Sequence, residues 1–411
     1  MPTIELTDFD LDKCTTETRL SVYNAADCCV THELATTLQQ HMSEAQLATY
    51  RFTRAMAAVA LDMQLVGIRI DRDALQAATL HYADRIMRYG SLLGSMAEAV
   101  WGKGLNENSP LQLKDFFYKT MQIPPIEVLV KGVRTVSTNR EALEKIEQYL
   151  LARPIAKLVL ALRDSKKKLS VLRAGIDPDG RMRCAFSAVG TDTGRWSSRQ
   201  NPFGGGMNFQ NPTEVLRRIF VADPGYKLAY IDLEQAESRT TAALVALTTG
   251  DFSYCDACES GDLHTEVCKM VWTNRDWPAD AGEAKRMAEM PFYRHFSYRD
   301  MAKRGGHGTN YYGQPPAIAR NLHIDRKMVE MFQQAYFSAF PGIPQWHHWV
   351  IRQIETKGSL TTPTGRFRTF LSRRTDPATH RSAIAHGPQS MVGDILNTAL
   401  LNVWHLSRCL I

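Results

Sequence analysis

No stretch of the 411-residue sequence approaches the ~20 uninterrupted apolar residues that a membrane-spanning helix needs. The opening MPTIELTDFDLDKC lacks the basic start and apolar run of a secretory signal. Cysteine is sparse, and Cys14, Cys28, Cys29, Cys184, Cys255, Cys258, Cys268 and Cys409 are too dispersed for a disulfide scaffold, so reduced thiols and a cytoplasmic chain are expected. No internal repeat and no low-complexity tract is present, which excludes solenoids and disordered linkers. What is present is a globular composition, 44% hydrophobic and 22% charged. At roughly 100 to 200 residues per domain, the length predicts more than one core.

The net charge of +6 is modest, but it is unevenly spread. Arg153, Lys157, Arg163, Lys166, Lys167, Lys168 and Arg173 face Asp164 alone in their segment, and Lys357, Arg366, Arg368, Arg373, Arg374 and Arg381 face Asp376 alone. Such patches fit a polyanionic partner. Residues 17–101 predict mainly helix, with Leu34, Leu38, Met56, Val59, Ala60 and Met63 at spacings of three and four and a break at Gly67. Asn106–Pro110 reads as a turn and cap signal, and Ser137–Glu141 as the cap of another helix. The texture changes near 174. Asp177-Pro178-Asp179-Gly180 reads as a hairpin turn, 190–212 as a loop, Leu228–Asp232 as a short apolar strand, 359–371 as a hairpin around Pro363-Thr364-Gly365, and Thr379 onward as a final helix.

Two segments carry chemistry. In LAYIDLEQAESR (228–239), a carboxylate at the end of a strand, Asp232, and the neighbouring carbonyl of Leu233 supply hard oxygens suited to a divalent cation. In SYRDMAKRGGHGTNYYG (297–313), Arg299, Lys303, His307 and Tyr311 recur every four residues and share a helical face: cations to grip a triphosphate, then a ring to stack on a base. Gly305, Gly306 and Gly308 are each unfavourable by about 1 kcal/mol inside a helix, so a bend or very close packing is expected there.

Taken together, these residues resemble the family A, polymerase I-like DNA-directed DNA polymerases. Asp232–Arg239 resembles motif A and Arg299–Gly313 motif B. Thr193–Ser198 and Asn208-Phe209-Gln210-Asn211-Pro212 resemble the TGR-x-SS and N-x-QN segments, and Asp262-Leu263-His264 the fingers D-x-H. Arg381–Ile384, Gln389 and Gly393-Asp394-Ile395 resemble the palm helix at the primer terminus, and Asn108–Leu113 and Tyr336–Gly342 are further landmarks. The implied fold is α+β, a right-hand polymerase with helical thumb and fingers and an antiparallel palm sheet. Its parts would be a remnant of the 3′–5′ exonuclease domain (1–45), thumb (46–174), first palm part (175–239), fingers (240–358) and second palm part (359–411). The implied activity is addition of deoxynucleotides to a primer 3′-hydroxyl. Asp232 and Leu233 would hold two Mg2+ ions, with Mn2+ as a substitute. His264, Arg299 and Lys303 would neutralise the triphosphate, Glu237 with Tyr311 would exclude ribonucleotides, and Gln235 and His307 would border the nucleotide. Arg195, Asn208, Gln210, Asn211, Arg239, Arg381 and Gln389 would meet primer–template DNA. A processivity partner is compatible with the family but not specified by these motifs.

The departures are His307 in place of Phe or Tyr, Tyr312 in place of Gly, and Ala385 in place of Asn. The His-Asp-Glu of motif C has no counterpart before Ile411. At the other end, Tyr23 and Asp27 resemble the third exonuclease motif without the D-x-E that should precede it, and Asp8 and Asp10 lie in too short a segment to replace it. The expectation is an interior piece of a polymerase. Two rival readings follow: a primer–template binder without catalysis, and a zinc knuckle formed by Cys255, Cys258, His264 and Cys268, which would require His264 as a metal ligand.

Overall fold

The computed structural model describes residues 14–130, 133–293 and 296–409. They form a mainly helical chain with short antiparallel sheets, divided into two compact units: 1–59, 188–196 and 232–411 in one, 60–187 and 197–231 in the other. Asp8 and Asp10 lie outside the described residues.

The second unit is built on the long helices Arg72–Trp101 and Arg153–Leu172. The first starts after the break at Gly67 and the strand Ile68–Ile70, and Asp71 caps it by accepting from the Ala74 amide at 2.9 Å. Its Leu93 and Ala97 pack with Leu113, Phe116, Phe117, Leu143, Ile146, Ile155 and Val159 in one core. Ile70, Tyr82, Leu169, Met182, Leu216 and Ile219 form another. Ile68–Ile70 is the centre of a three-stranded antiparallel sheet flanked by Arg181–Met182 and Phe220–Val221. The turn at 177–180 forms, closed by Gly180 N–H to the Asp177 carbonyl at 2.9 Å and tied by Arg183, which reaches both Asp177 and Asp179 at 2.6 Å.

Two expectations are corrected, the strand at 228–232 and the unbroken loop at 190–212. Leu228–Asp232 forms no strand: Leu228, Tyr230 and Ile231 are 59%, 80% and 85% exposed, because apolar residues make a strand only where a neighbouring strand takes up their backbone groups. The 190–212 loop contains a strand, Ser197–Arg199, paired with Ala185–Ser187. Leu34 and Leu38 lie on the helix Thr16–His41, none of whose residues is buried, whereas Met56, Val59 and Ala60 are buried on the next helix. Tyr23 and Asp27 lie exposed on that same first helix. Much of the basic charge is engaged internally. Arg163 donates to the Glu107 carbonyl at 2.7 Å, Lys166 meets the Glu107 carboxylate at 2.6 Å, and Arg366 and Arg368 pair with Asp394 and Asp192.

The first unit holds the larger core, in which Trp346, Tyr336, Phe340, Ile343, Val329, Met301 and Ile384 are essentially inaccessible. The 359–371 hairpin forms as Ser359–Thr361 paired with Phe367–Thr369, and the last helix runs Pro377–Cys409.

Candidate nucleotide and primer-template site

The helix carrying Arg299, Lys303, His307 and Tyr311 is assembled from three pieces. A capping box opens it, the Ser297 hydroxyl accepting from the Asp300 amide at 3.0 Å and the Asp300 carboxylate accepting from the Ser297 amide at 3.2 Å. A π-helical turn, Met301–Gly305, follows, and then the α-helical turn Gly306–Asn310. The glycines have packing reasons. A Cβ on Gly306 would come to 3.3 Å from the Tyr336 ring, and one on Gly308 to 3.0 Å from Ile318. Both expected remedies are therefore present, a widened turn and close neighbours.

A buried polar network fixes the end of this helix. Asn310 donates to the Tyr254 hydroxyl at 2.9 Å and accepts from Tyr336 at 3.0 Å, while its carbonyl lies 2.9 Å from His347 Nε2. Gln333 donates to the Gly313 carbonyl at 2.8 Å. These bonds turn a short, glycine-rich helix into a rigid support for the side chains on its face.

Two clusters form along that face. At the N-terminal end, Arg299 pairs with Asp262 at 3.0 Å, and His264 feels both of them and Lys303. Burial first, then the neighbouring Arg299, pushes the His264 imidazole down to about 4, so it is neutral and able to accept or donate a single hydrogen bond. Lys303 is exposed. Asp262 is the residue that sequence reasoning left without a role, although it stands in the D-x-H motif. Its second oxygen accepts from Thr265 at 2.8 Å.

At the C-terminal end, Glu237 is the hub. One carboxylate oxygen forms an ion pair with Arg195 Nη2; the other accepts from the Tyr311 hydroxyl at 2.9 Å and lies 3.8 Å from His307 Nδ1. The His307 and Tyr311 rings are 4.6 Å apart. Burial pushes the Tyr311 phenol up to about 12, and Gln389 also bonds to it. Burial and Arg195 lower His307. Arg195, Glu237, Tyr311 and Gln389, which span nearly half of the chain, are thus brought together, and the departure His307 belongs to the same cluster.

Glu237 sits on the first turn of the helix Ala236–Thr249, whose N-cap Gln235 holds a left-handed backbone at φ +53°. A non-glycine residue in that region is strained, and the Gln235 Oε1 is buried with no hydrogen-bond partner. Arg239 is engaged elsewhere, pairing with Glu259 and donating to the Cys258 carbonyl at 3.1 Å. Arg381 is exposed on the last helix. Asn208, Gln210 and Asn211 are exposed in the other unit, where Asn208 Oδ1 accepts from Ser198 at 2.9 Å.

Asp232 is exposed, and Leu233 is 40% exposed. Their oxygens are chemically suited to a hard cation, but among the described residues no three His, Cys, Asp or Glu side chains converge, so these donors are a partial set. The same observation removes the zinc knuckle. Cys258 and Cys268 are buried, and burial raises both thiols to about 12.

The chain is similar in sequence and fold to known proteins. The model of DNA polymerase family A matches residues 88–408. DNA polymerase I of Chloroflexus aurantiacus is 28% identical over 409 residues, which is 94% of this chain and 40% of that protein. DNA polymerase I of Treponema pallidum is 27% identical, over 93% of this chain and 36% of that protein. The chain therefore spans about two fifths of the curated relatives it matches. Among solved structures, the POL domain of Pol1 from M. smegmatis, in complex with DNA primer-template and dNTP, superposes with a TM-score of 0.70 at 25% identity, over 86% of this chain and 59% of that one.

Proposed function

Since the chain belongs to DNA polymerase family A, we propose that it carries out template-directed DNA synthesis, extending a primer 3′-hydroxyl with deoxynucleotides. The observation that carries this reading is the convergence of Arg195, Glu237, Tyr311 and His307 at one end of a helical segment whose other end carries Arg299 and Lys303. In this reading 46–174 is the thumb, 175–239 and 359–411 the palm, and 240–358 the fingers. Residues 1–45, with Tyr23 and Asp27, correspond to the edge of an exonuclease domain.

The side chains divide the work by charge and shape. Lys303, the exposed cation, and Arg299 take the triphosphate, and neutral His264 gives it a hydrogen bond without adding charge. The Asp262 carboxylate holds Arg299 in place until the more highly charged triphosphate competes for it. Glu237, pinned on two sides, forms a wall against a sugar 2′-hydroxyl. Rigidity is what makes that wall selective, because a mobile carboxylate would yield or hydrogen-bond to the extra hydroxyl. Tyr311 and His307 offer rings to the nucleotide, and Gln235 borders it. Arg195 and Gln389 meet minor-groove acceptors, which lie at similar positions in every correct pair and so report shape rather than sequence. Arg381, Asn208, Gln210 and Asn211 add backbone and groove contacts, and Arg239 braces the motif A helix. Divalent metal ions, which this family generally uses, would provide Lewis-acid charge stabilisation, with Asp232 and the Leu233 carbonyl as donors from this chain.

A second reading, primer-template binding without catalysis, is favoured by the single carboxylate at that partial donor set. Primer extension with Mg2+ and all four deoxynucleotides decides between them. Asp232-dependent extension, lost in Asp232→Ala, is expected under synthesis. Tight primer-template binding with no extension would establish the second reading instead.

A further inference from the structure

The most deeply buried ion pair described in the first unit has no place in the reading above. Arg366 and Asp394 are only 8% and 6% exposed, and Arg366 donates to one Asp394 oxygen through Nε at 2.8 Å and Nη2 at 2.6 Å. The other oxygen accepts from Thr364 at 2.8 Å, and the Thr362 hydroxyl accepts from the Arg366 amide at 3.1 Å. A buried pair is rarely retained for stability alone, because desolvation consumes most of its attraction. Its surroundings show what else it does.

The remaining face of the guanidinium lies against Gly194. A Cβ there would fall on Arg366 Cζ and lie 2.6 Å from Nη1, and Gly194 has φ +76°, so both space and backbone demand glycine. The turn containing Gly194 is gripped around this seat. Gly194 N–H donates to the Thr191 carbonyl at 3.2 Å, the Thr191 hydroxyl donates to the Arg195 carbonyl at 2.7 Å, and Asn397 donates to the Gly194 carbonyl at 3.4 Å. From the same hairpin, Arg368 pairs with Asp192 at 2.7 Å. The next residue after Gly194 is Arg195, the partner of Glu237.

We propose that the buried Arg366–Asp394 pair is the seat that fixes the Thr191–Arg195 turn and thereby aims Arg195 at Glu237 and the primer-template minor groove. Arg366 and Asp394 are positioning residues in this scheme. The planar guanidinium supports the Gly194 backbone, and Asp394 holds that plane in orientation. Lysine cannot substitute, since an ammonium has the charge but not the plane. The DNA-facing half of the proposal rests on the polymerase reading, and the aiming of Arg195 does not.

The test uses the full chain with Arg366→Lys, the paired replacement Arg366→Met/Asp394→Leu, Arg195→Ala, and the combination of Arg195→Ala with Arg366→Lys. The paired replacement removes both buried charges together and so keeps the fold available if the single variant does not fold. The first readout is the 15N-arginine NMR signal of the Arg195 guanidinium in the free protein. It should be sharp and slowly exchanging in the parent, and lost or averaged in the Arg366 variants. The second is affinity for a primer-template duplex with guanine or 3-deazaguanine at the primer end, the analogue lacking the minor-groove N3 acceptor. Arg195→Ala should weaken binding to the guanine duplex roughly tenfold, the worth of one charge-assisted hydrogen bond. It should also abolish the preference over 3-deazaguanine. Arg366→Lys should do the same, and the combination should be no worse than either alone. An Arg366 variant that melts earlier but keeps the Arg195 signal and the guanine preference would overturn the proposal, leaving the pair a purely structural contact. An Arg195 signal that depends on Arg366, together with unchanged binding by Arg195→Ala, would sustain the aiming and sink the DNA contact.

Discussion

Replacing Tyr336 by Phe tests whether the buried network behind the Arg299–Tyr311 helix holds it rigid. The substitution removes one oxygen and almost no packing volume from a side chain that is 0% exposed. It deletes the hydroxyl that donates to Asn310 Oδ1 at 3.0 Å, while Asn310 Nδ2 stays bound to Tyr254 and the His347 contact to the Asn310 carbonyl is untouched. Asn310 is 4% exposed, so water has little access to the stranded acceptor. Leaving a buried acceptor unsatisfied costs about 1–3 kcal/mol. At roughly 2–4 °C per kcal/mol for a unit of this size, the melting temperature should fall by about 2–12 °C. Thermal unfolding followed by circular dichroism reads this directly. Adding Asn310→Leu removes the stranded group itself, so the double variant should lose clearly less than the sum of the two single losses. A drop below about 1 °C for Tyr336→Phe, or strict additivity with Asn310→Leu, would refute a closed, dry network at this position.

Three further outcomes follow from the same geometry. Burial pushes His264 and His347 down to about 4 and His386 to about 3, so the native state keeps them neutral where the unfolded chain binds protons. Their contribution is complete well above pH ~6.5 and is lost as pH falls from there toward the native values, about 2 kcal/mol per fully buried ring by pH ~5. Urea melts at pH about 7.5, 6 and 5 should show that decline, and a flat profile would disprove the buried neutral state. Gly206→Ala should destabilise the 60–187/197–231 unit by more than about 2 kcal/mol, because at φ +74° the new Cβ would run into the Arg183 carbonyl oxygen. Hydrogen exchange across 60–187 measures this, and unchanged protection would contradict so close an approach of the Arg183 backbone. Glu237→Ala should raise ribonucleotide incorporation while leaving deoxynucleotide extension largely intact; equal discrimination by both proteins would remove Glu237 from sugar selection.

The sequence by itself determined the local structure wherever a residue type has one good use. Asp71, Ser109 and Asn139 start helices because their short side chains accept from the amides that the first turn leaves open. Pro363-Thr364-Gly365 makes a hairpin, and the four-residue spacing from Arg299 to Tyr311 puts those side chains along one face. The family was legible too, because its motifs are local in sequence. What only tertiary structure decided involves groups whose partner lies far along the chain. Nothing around Leu228–Asp232 revealed that the segment would stay exposed, since a strand exists only with a neighbour to pair with. The basic patch at 357–381 read as a polyanion surface, yet Arg366 and Arg368 spend their charge on Asp394 and Asp192. The same long-range closure placed Asp262 on Arg299 and Arg195 on Glu237. Charge and hydrogen bonding act over a few ångströms of space, and the chain's order in sequence does not encode that distance.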